Sequence, residues 1–388
     1  MSPVVIAGSG LAGYTLAREL RKLAPDLPIT LITADSGDLY SKPMLSNALA
    51  QGHTPQGLVQ SSAAEQAEKL NIQVRSHCPI TALHPAEHRL DTGQGPMEYG
   101  RLALALGARP SHPGFPGAEL ALSVNHLDDY ARFRDRLAPG ARVAILGGGL
   151  VGCEFANDLA LAGHPVELVE LADRPLARQA PPALSRRLQV KLEALGVAWH
   201  CGRRVTGLMV QGEGYRLSLD DGRELAADLV LSAIGLTPAT ELARAAGLEV
   251  GRGIRVDESL ATSAAAIHAL GDCAEVVPQG GTARPGLLLP YVLPLMQQAR
   301  VLASILAGNP ARLSLPALPV AVKTPACPMV VCPPPDSTNG RWHTERDDEA
   351  GAIHHFLAGD GSLLGFALAG DACTQRRTLA GRVPALLV

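Results

Sequence analysis

Two glycine turns of the same form constrain this chain more than any other feature. Residues 4–13 read VVIAGSGLAG and residues 142–156 read RVAILGGGLVGCEFA, so Gly8-Ser9-Gly10-Leu11-Ala12-Gly13 and Gly147-Gly148-Gly149-Leu150-Val151-Gly152 both follow G-x-G-x-x-G. Each turn follows a short apolar strand and opens a helix. In that context the first glycine permits the tight turn, the second lets a pyrophosphate approach the backbone, and the third lets helix and strand pack closely. Free N–H groups and a positive helix end then face the anion. One such turn is a weak signal; two in context point to two dinucleotide sites in one chain.

The rest of the chain follows the alternation these turns begin. Helix LAGYTLARELRKL leads to strand ITLITA, and helix LVGCEFANDLALAG leads to strand VELVE, with Gly163 placed as a helix-ending glycine. The stretch PSHPGFPG (110–117) reads as a linker, and LALALGA (102–108) and LVLSAIG (229–235) as apolar strands. Pro294 predicts a helix over 294–308, closed by Gly308 and Pro310. The expected class is α/β, with two Rossmann-like dinucleotide-binding domains and a small C-terminal α+β domain. The boundaries expected are 1–112 and 239–312 for one dinucleotide domain, 113–238 for the other, and 313–388 for the tail.

Strand-end residues separate the two nucleotides. Glu170 ends VELVE at about the 20-residue spacing where a carboxylate takes both ribose hydroxyls of NADH and repels the 2′-phosphate of NADPH. In the first unit Thr33 and Ala34 occupy the ribose position and Asp35 follows at a looser spacing. NAD is therefore assigned to Gly147, Gly149, Gly152 and Glu170, and a second dinucleotide to Gly8, Ser9, Gly10, Leu11, Ala12, Gly13, Thr33, Ala34 and Asp35.

Several function classes drop out. Net charge is −3 and aromatic residues make up 3%, so no basic, base-stacking surface for nucleic acid is expected. No apolar run approaches the ~18 residues of a membrane span, and MSPVVIAGSG lacks the positive n-region of a signal peptide, so no secretory leader is expected. Seven scattered cysteines fit a reduced, cytoplasmic protein. Histidines show no metal-ligand spacing, His354-His355 is expected at the surface, and no H-E-x-x-H, G-x-S-x-G or phosphate-loop lysine occurs.

The two turns together with LALALGARP (102–110) and IHALGDCAEV (267–276) resemble the FAD-dependent pyridine-nucleotide oxidoreductases. YSKPMLS (40–46), GCEFANDLA (152–160) and VKTPACP (322–328) are most similar to bacterial rubredoxin reductases. The resemblance implies FAD in the first site and NADH visiting the second. It implies Asp272 on a ribityl hydroxyl, Ile80 near the adenine, Gly107 beside the flavin, and Val292 touching the flavin by its backbone. It also implies that Lys42 and Glu154, the latter in the first turn of its helix, meet beside the site of hydride arrival. Lys323 adds the tail's contribution at the flavin edge. Cys153 and Cys273 are expected to lie buried beside FAD-binding backbone.

The redox-active C-x4-C pair of the disulfide reductases is missing from Tyr40–Gly52, as is the single active cysteine that a related branch carries near Leu45–Ser46. Cys327 and Cys332 have the spacing but sit in the tail, and read as packed thiols. Electrons must then leave the flavin directly, and the resemblance points to rubredoxin or a related small iron–sulfur carrier as the acceptor. Two alternatives stand: a reductase of [2Fe–2S] ferredoxin, whose relatives usually carry Arg-Pro-Pro at the site of Ser-Lys-Pro, and a flavin-bearing sensor that does not turn over.

Overall fold

The computed structural model describes residues 3–278, 286–335 and 338–388. The first apolar strand, Val4–Ala7, is buried along its whole length, as a central strand of a parallel sheet covered on both faces must be. It stands between Ile29–Ile32 and Arg101–Leu104, in register Val4↔Ile29 and Val4↔Arg101. The full order is Ile267–Ala269, Arg101–Leu104, Val4–Ala7, Ile29–Ile32, Gln73–Arg75, all parallel. Two of these strands flank the second glycine unit in sequence, so the first sheet is assembled from chain on both sides of it. Helix Leu11–Leu23 buries Tyr14, Leu16, Ala17 and Leu20 against the sheet, and helix Val292–Leu306 packs beside it.

The second parallel sheet runs Val197–Cys201, Val166–Glu170, Val143–Leu146, Leu229–Ser232. Its helix Leu150–Leu161 is buried from Gly152 through Leu159 on every side, because more than one layer packs on it. The chain crosses between the two sheets twice. The crossings Ala108–Pro110 and Leu236–Pro238 pair with each other as antiparallel strands, Arg109 opposite Thr237. The expected linker at Pro110 thus begins as a strand, and the expected single strand 102–108 breaks after Leu104.

The tail forms an antiparallel sheet in the order Val320–Val322, Met329–Cys332, Leu363–Gly370, Gly351–Leu357, Arg341–Asp347, with a short helix Arg376–Ala380. His354 is fully buried there and its Nδ1 lies 3.0 Å from Thr344 Oγ1, so the expected surface pair is half wrong: a central strand of this sheet has two covered faces. Cys327 and Cys332 are buried free thiols. The helix expected over 294–308 runs instead Val292–Leu306, with Tyr291 as N-cap. Proline needs no N–H partner anywhere in a first turn, so Pro294 fits at the third position.

Candidate dinucleotide and electron-transfer site

Both glycine turns open onto one continuous cavity of about 2230 Å³, more than twice the roughly 1,000 Å³ upper range of ordinary small-molecule sites. A Cβ on Gly13 would stand 1.9 Å from Gly8 O, and one on Gly152 1.9 Å from Gly147 O. Glycine is obligatory there for the helix to sit against its strand. At Gly10 and Gly149, the N-cap positions, a Cβ would meet nothing within 4 Å. Both helices begin with no side-chain cap and no acidic residue in the first turn, so their leading N–H groups face open space. Such a cradle suits a pyrophosphate.

Around the first turn, Ser9 Oγ donates to Thr33 Oγ1 (2.9 Å) and to Asp35 Oδ1 (3.0 Å), while Thr33 Oγ1 donates to Asp35 Oδ1 (2.6 Å). Asp35 is therefore drawn toward the turn despite its loose sequence spacing. Leu11, Ala12, Ala34, Ile80 and Gly107 border the same cavity, and Gly107 O accepts from Ala239 N at 3.0 Å where the chain crosses between sheets. At the second turn Glu170 Oε2 accepts from Gly148 N and Oε1 accepts from Ala172 N at 2.7 Å. This carboxylate is not simply solvated: it fixes the turn it faces.

Across the cavity lie Asp272, in the single turn Gly271–Cys273, and Lys42, at the head of the 3₁₀ segment Lys42–Asn47. Burial pushes the Asp272 carboxyl above its usual range, with Lys42 opposing the rise. Burial lowers the Lys42 ammonium, with Asp272 and then Asp129 opposing. The start of helix Val292–Leu306 reaches the same wall through Tyr291, Val292 and Leu293, uncapped by any side chain and free of acids.

Lys42 and Glu154, expected to meet beside the site of hydride arrival, both border the cavity. Among the described residues no ion pair joins them; Glu154 pairs with Lys323 Nζ and also accepts from Lys323 N at 3.0 Å and Ser46 Oγ at 2.6 Å. Glu154 is the fifth residue of its helix, just beyond the first turn expected for it. At that depth it faces the far end of the 3₁₀ segment, where Ser46 sits, while Lys42 occupies the near end. Cys153 is corrected: it bonds Gly148 O (3.3 Å) in the second turn, whereas Cys273 bonds Leu104 O (3.4 Å) in the first sheet. Burial pushes the Cys273 thiol up to about 11 and Cys153 well up also, so neither is poised as a thiolate.

Two residues of the site escaped sequence reading. Ser46 stands where a related branch would carry its active cysteine, and here holds Glu154. Asn125 is a buried residue of the cavity wall that donates to Ala108 O at 2.9 Å, and its amide oxygen has no hydrogen-bond partner. No motif surrounds it in the sequence.

Comparison with known proteins places this geometry. Residues 2–288 match the family Pyridine nucleotide-disulphide oxidoreductase, and residues 312–383 match the Rubredoxin binding C-terminal domain. The chain is 43% identical to the Rubredoxin-NAD(+) reductase of Alcanivorax borkumensis, covering 100% of both chains. It is 42% identical to that of Acinetobacter baylyi, covering 100% of this chain and 99% of the relative. A Nitric oxide reductase FlRd-NAD(+) reductase of Aeromonas salmonicida is 40% identical over 98% of this chain and 96% of its own. Among solved structures, the covalent putidaredoxin reductase–putidaredoxin complex superposes with a TM-score of 0.88 at 27% identity, covering 99% of this chain and 94% of that one. The ferredoxin reductase for the CYP199A2 system from Rhodopseudomonas palustris gives 0.88 at 28% identity, covering 98% and 95%.

Proposed function

The chain belongs to the pyridine nucleotide-disulphide oxidoreductase family, and we propose on that premise that it is a rubredoxin–NAD(+) reductase. It takes hydride from NADH onto a flavin and hands electrons one at a time to rubredoxin. One observation carries the reading: the segment matching a rubredoxin-binding domain supplies Lys323 to the carboxylate that borders the dinucleotide cavity. The ferredoxin reductases share the fold, and the tail is what separates the two readings.

In this reading the flavin is FAD, held by the first turn, and the nicotinamide nucleotide sits at the second. The domains are 1–112 with 239–312 for FAD, 113–238 for NAD and 313–388 for the carrier. The open positions at Gly10 and Gly149 and the uncapped helix starts fit two extended anionic ligands. A bound flavin supplies the conversion of a two-electron donor to one-electron steps.

The chain's own residues orient and balance charge. Asp272 would accept from a ribityl hydroxyl, and Lys42, facing Asp272, would counter negative charge on the reduced ring. The uncapped start of helix Val292–Leu306 adds partial positive charge to the same wall. Glu154, fixed on three sides by Ser46 Oγ, Lys323 N and Lys323 Nζ, has no freedom to swing, so it would present one constant face to the nicotinamide. Leu318, Pro319 and Val320 line the cavity beside Lys323 and exclude water there. Tyr40–Gly52 holds no cysteine, so in this reading no sulfur relay stands between flavin and carrier. Among the described residues no helix is long and apolar enough to cross a membrane, and free thiols with NADH as donor favour the cytoplasm.

The purified protein should be yellow, and NADH should bleach its flavin absorbance without oxygen. Released cofactor should be FAD. A colourless polypeptide that cannot be reconstituted with flavin contradicts the reading.

A further inference from the structure

Glu154, Asn157 and Asp158 lie on one stripe of helix Leu150–Leu161 and are exposed by only 4%, 1% and 3%. Among the described residues, no side-chain hydrogen bond of theirs stays within the sheet unit they belong to. Asp158 accepts Leu49 N at Oδ2 (2.9 Å) and Ala50 N at Oδ1 (3.0 Å). Asn157 Oδ1 accepts Ala326 N at 3.1 Å. Glu154 takes Ser46 and Lys323. One helix of the nucleotide unit thus binds a segment of the first unit with one residue, a turn of the tail with another, and both with the third.

An apolar stripe would glue the same surfaces at less desolvation cost, and an apolar cluster already surrounds this one, including Leu45, Ala48, Phe155, Val322 and Cys327. Hydrophobic contact tolerates sliding; hydrogen bonds to backbone N–H groups do not. Four of the partners are backbone amides, of residues 49, 50, 323 and 326, so the stripe fixes the course of the chain rather than the identity of side chains. Ser46 lies three residues before Leu49, and Lys323 three before Ala326. Holding each anchor therefore holds the residue that contacts Glu154.

We propose that Asp158 and Asn157 are positioning residues of the electron-transfer site, a clamp that locks segment 46–50 and turn 323–326 onto the nucleotide helix as one unit. The clamp keeps the flavin and nicotinamide subsites in one mutual geometry, and it transmits the tail's seating to Glu154. The inference rests on the functional reading for the identity of those subsites, while the clamp itself rests on distances alone. A second tie limits the damage from breaking it: Arg187 donates to Asp347 Oδ1 (2.9 Å), Asp348 O (2.6 Å) and Glu349 O (2.9 Å), so the tail stays attached without Asn157.

Hydrogen exchange on the flavin-loaded full chain tests this. Asn157→Ala removes one bond, to Ala326. If the stripe acts as one unit, exchange rises about tenfold or more at Leu49, Ala50 and Lys323 as well as at Ala326. Asp158→Asn, nearly isosteric, should spread the opposite way, reaching Lys323 and Ala326, and covers the case that Asn157→Ala fails to fold. In stopped flow, flavin reduction by NADH should slow roughly 10- to 100-fold in each variant, since small misplacement of reacting groups is costly, while NADH affinity changes less than about threefold. Exchange confined to the amide that lost its bond overturns the proposal, as does spread exchange with unchanged flavin reduction. A protein without flavin would defeat the functional reading and leave the exchange result standing.

Discussion

Glu154 and Lys323, 169 residues apart in the chain, form an ion pair at the cavity wall, and the Lys323 backbone N–H donates to the second carboxylate oxygen at 3.0 Å. Lysine removal leaves a buried carboxylate with only that N–H and the Ser46 hydroxyl. Lys323→Met should therefore destabilise the protein by about 1–3 kcal/mol, less than a fully buried pair because the lysine is partly exposed. Adding Glu154→Gln should restore much of it, since an amide needs no counter-ion. Urea unfolding of the four proteins gives the coupling; simple additivity would mean the pair is idle.

On the proposed function, Glu170 sets the cofactor preference. It holds Gly148 N and Ala172 N, and its charge would repel a 2′-phosphate. Glu170→Ala should lower the NADH-to-NADPH ratio of kcat/KM by about tenfold or more, equivalent to roughly 1.4 kcal/mol. KM for NADH should also rise, because the turn loses its acceptor. An unchanged ratio would assign Glu170 to the turn alone.

Lys42 is assigned to the reduced ring and not to anchoring the cofactor. Lys42→Met should slow NADH reduction of the flavin in stopped flow by about tenfold to a hundredfold, with flavin content near normal. Loss of flavin on purification would make it an anchor.

Asp158 gives the fold a pH dependence with a definite sign. Burial raises its carboxyl above the usual 3.8, against hydrogen bonds from Ala50 and Leu49 that lower it. Because the folded state holds the proton more tightly, the contribution is complete below 3.8 and is lost as pH rises through the raised value. The stability of the native protein relative to Asp158→Asn should thus be greatest in acid and decline toward neutrality. Denaturation of both proteins across that range measures it; a difference that grows with pH contradicts the burial argument.

What the sequence revealed and what it hid follow one physical line. The glycine turns were legible because their requirement is local: Gly13 approaches Gly8 O five residues away, and only glycine fits. The place of Glu170 against its turn was legible for the same reason, since the strand that carries it is tied to that turn by one helix. The Glu154 partner was not, because two remote segments converge on one helix face, and sequence spacing places Ser46, Lys42 and Lys323 near it equally well. Burial of Gly152 through Leu159 on all sides also erased the periodicity that would have marked Asn157 and Asp158 as inward-facing. His354 was misplaced by the same effect, in a strand covered on two faces.

The most direct test of the account is steady-state electron transfer by the purified protein, with NADH as donor and rubredoxin or a [2Fe–2S] ferredoxin as acceptor. The account predicts a clearly higher kcat/KM for rubredoxin, lost when the tail's Lys323 is replaced. A clear preference for the ferredoxin would contradict it.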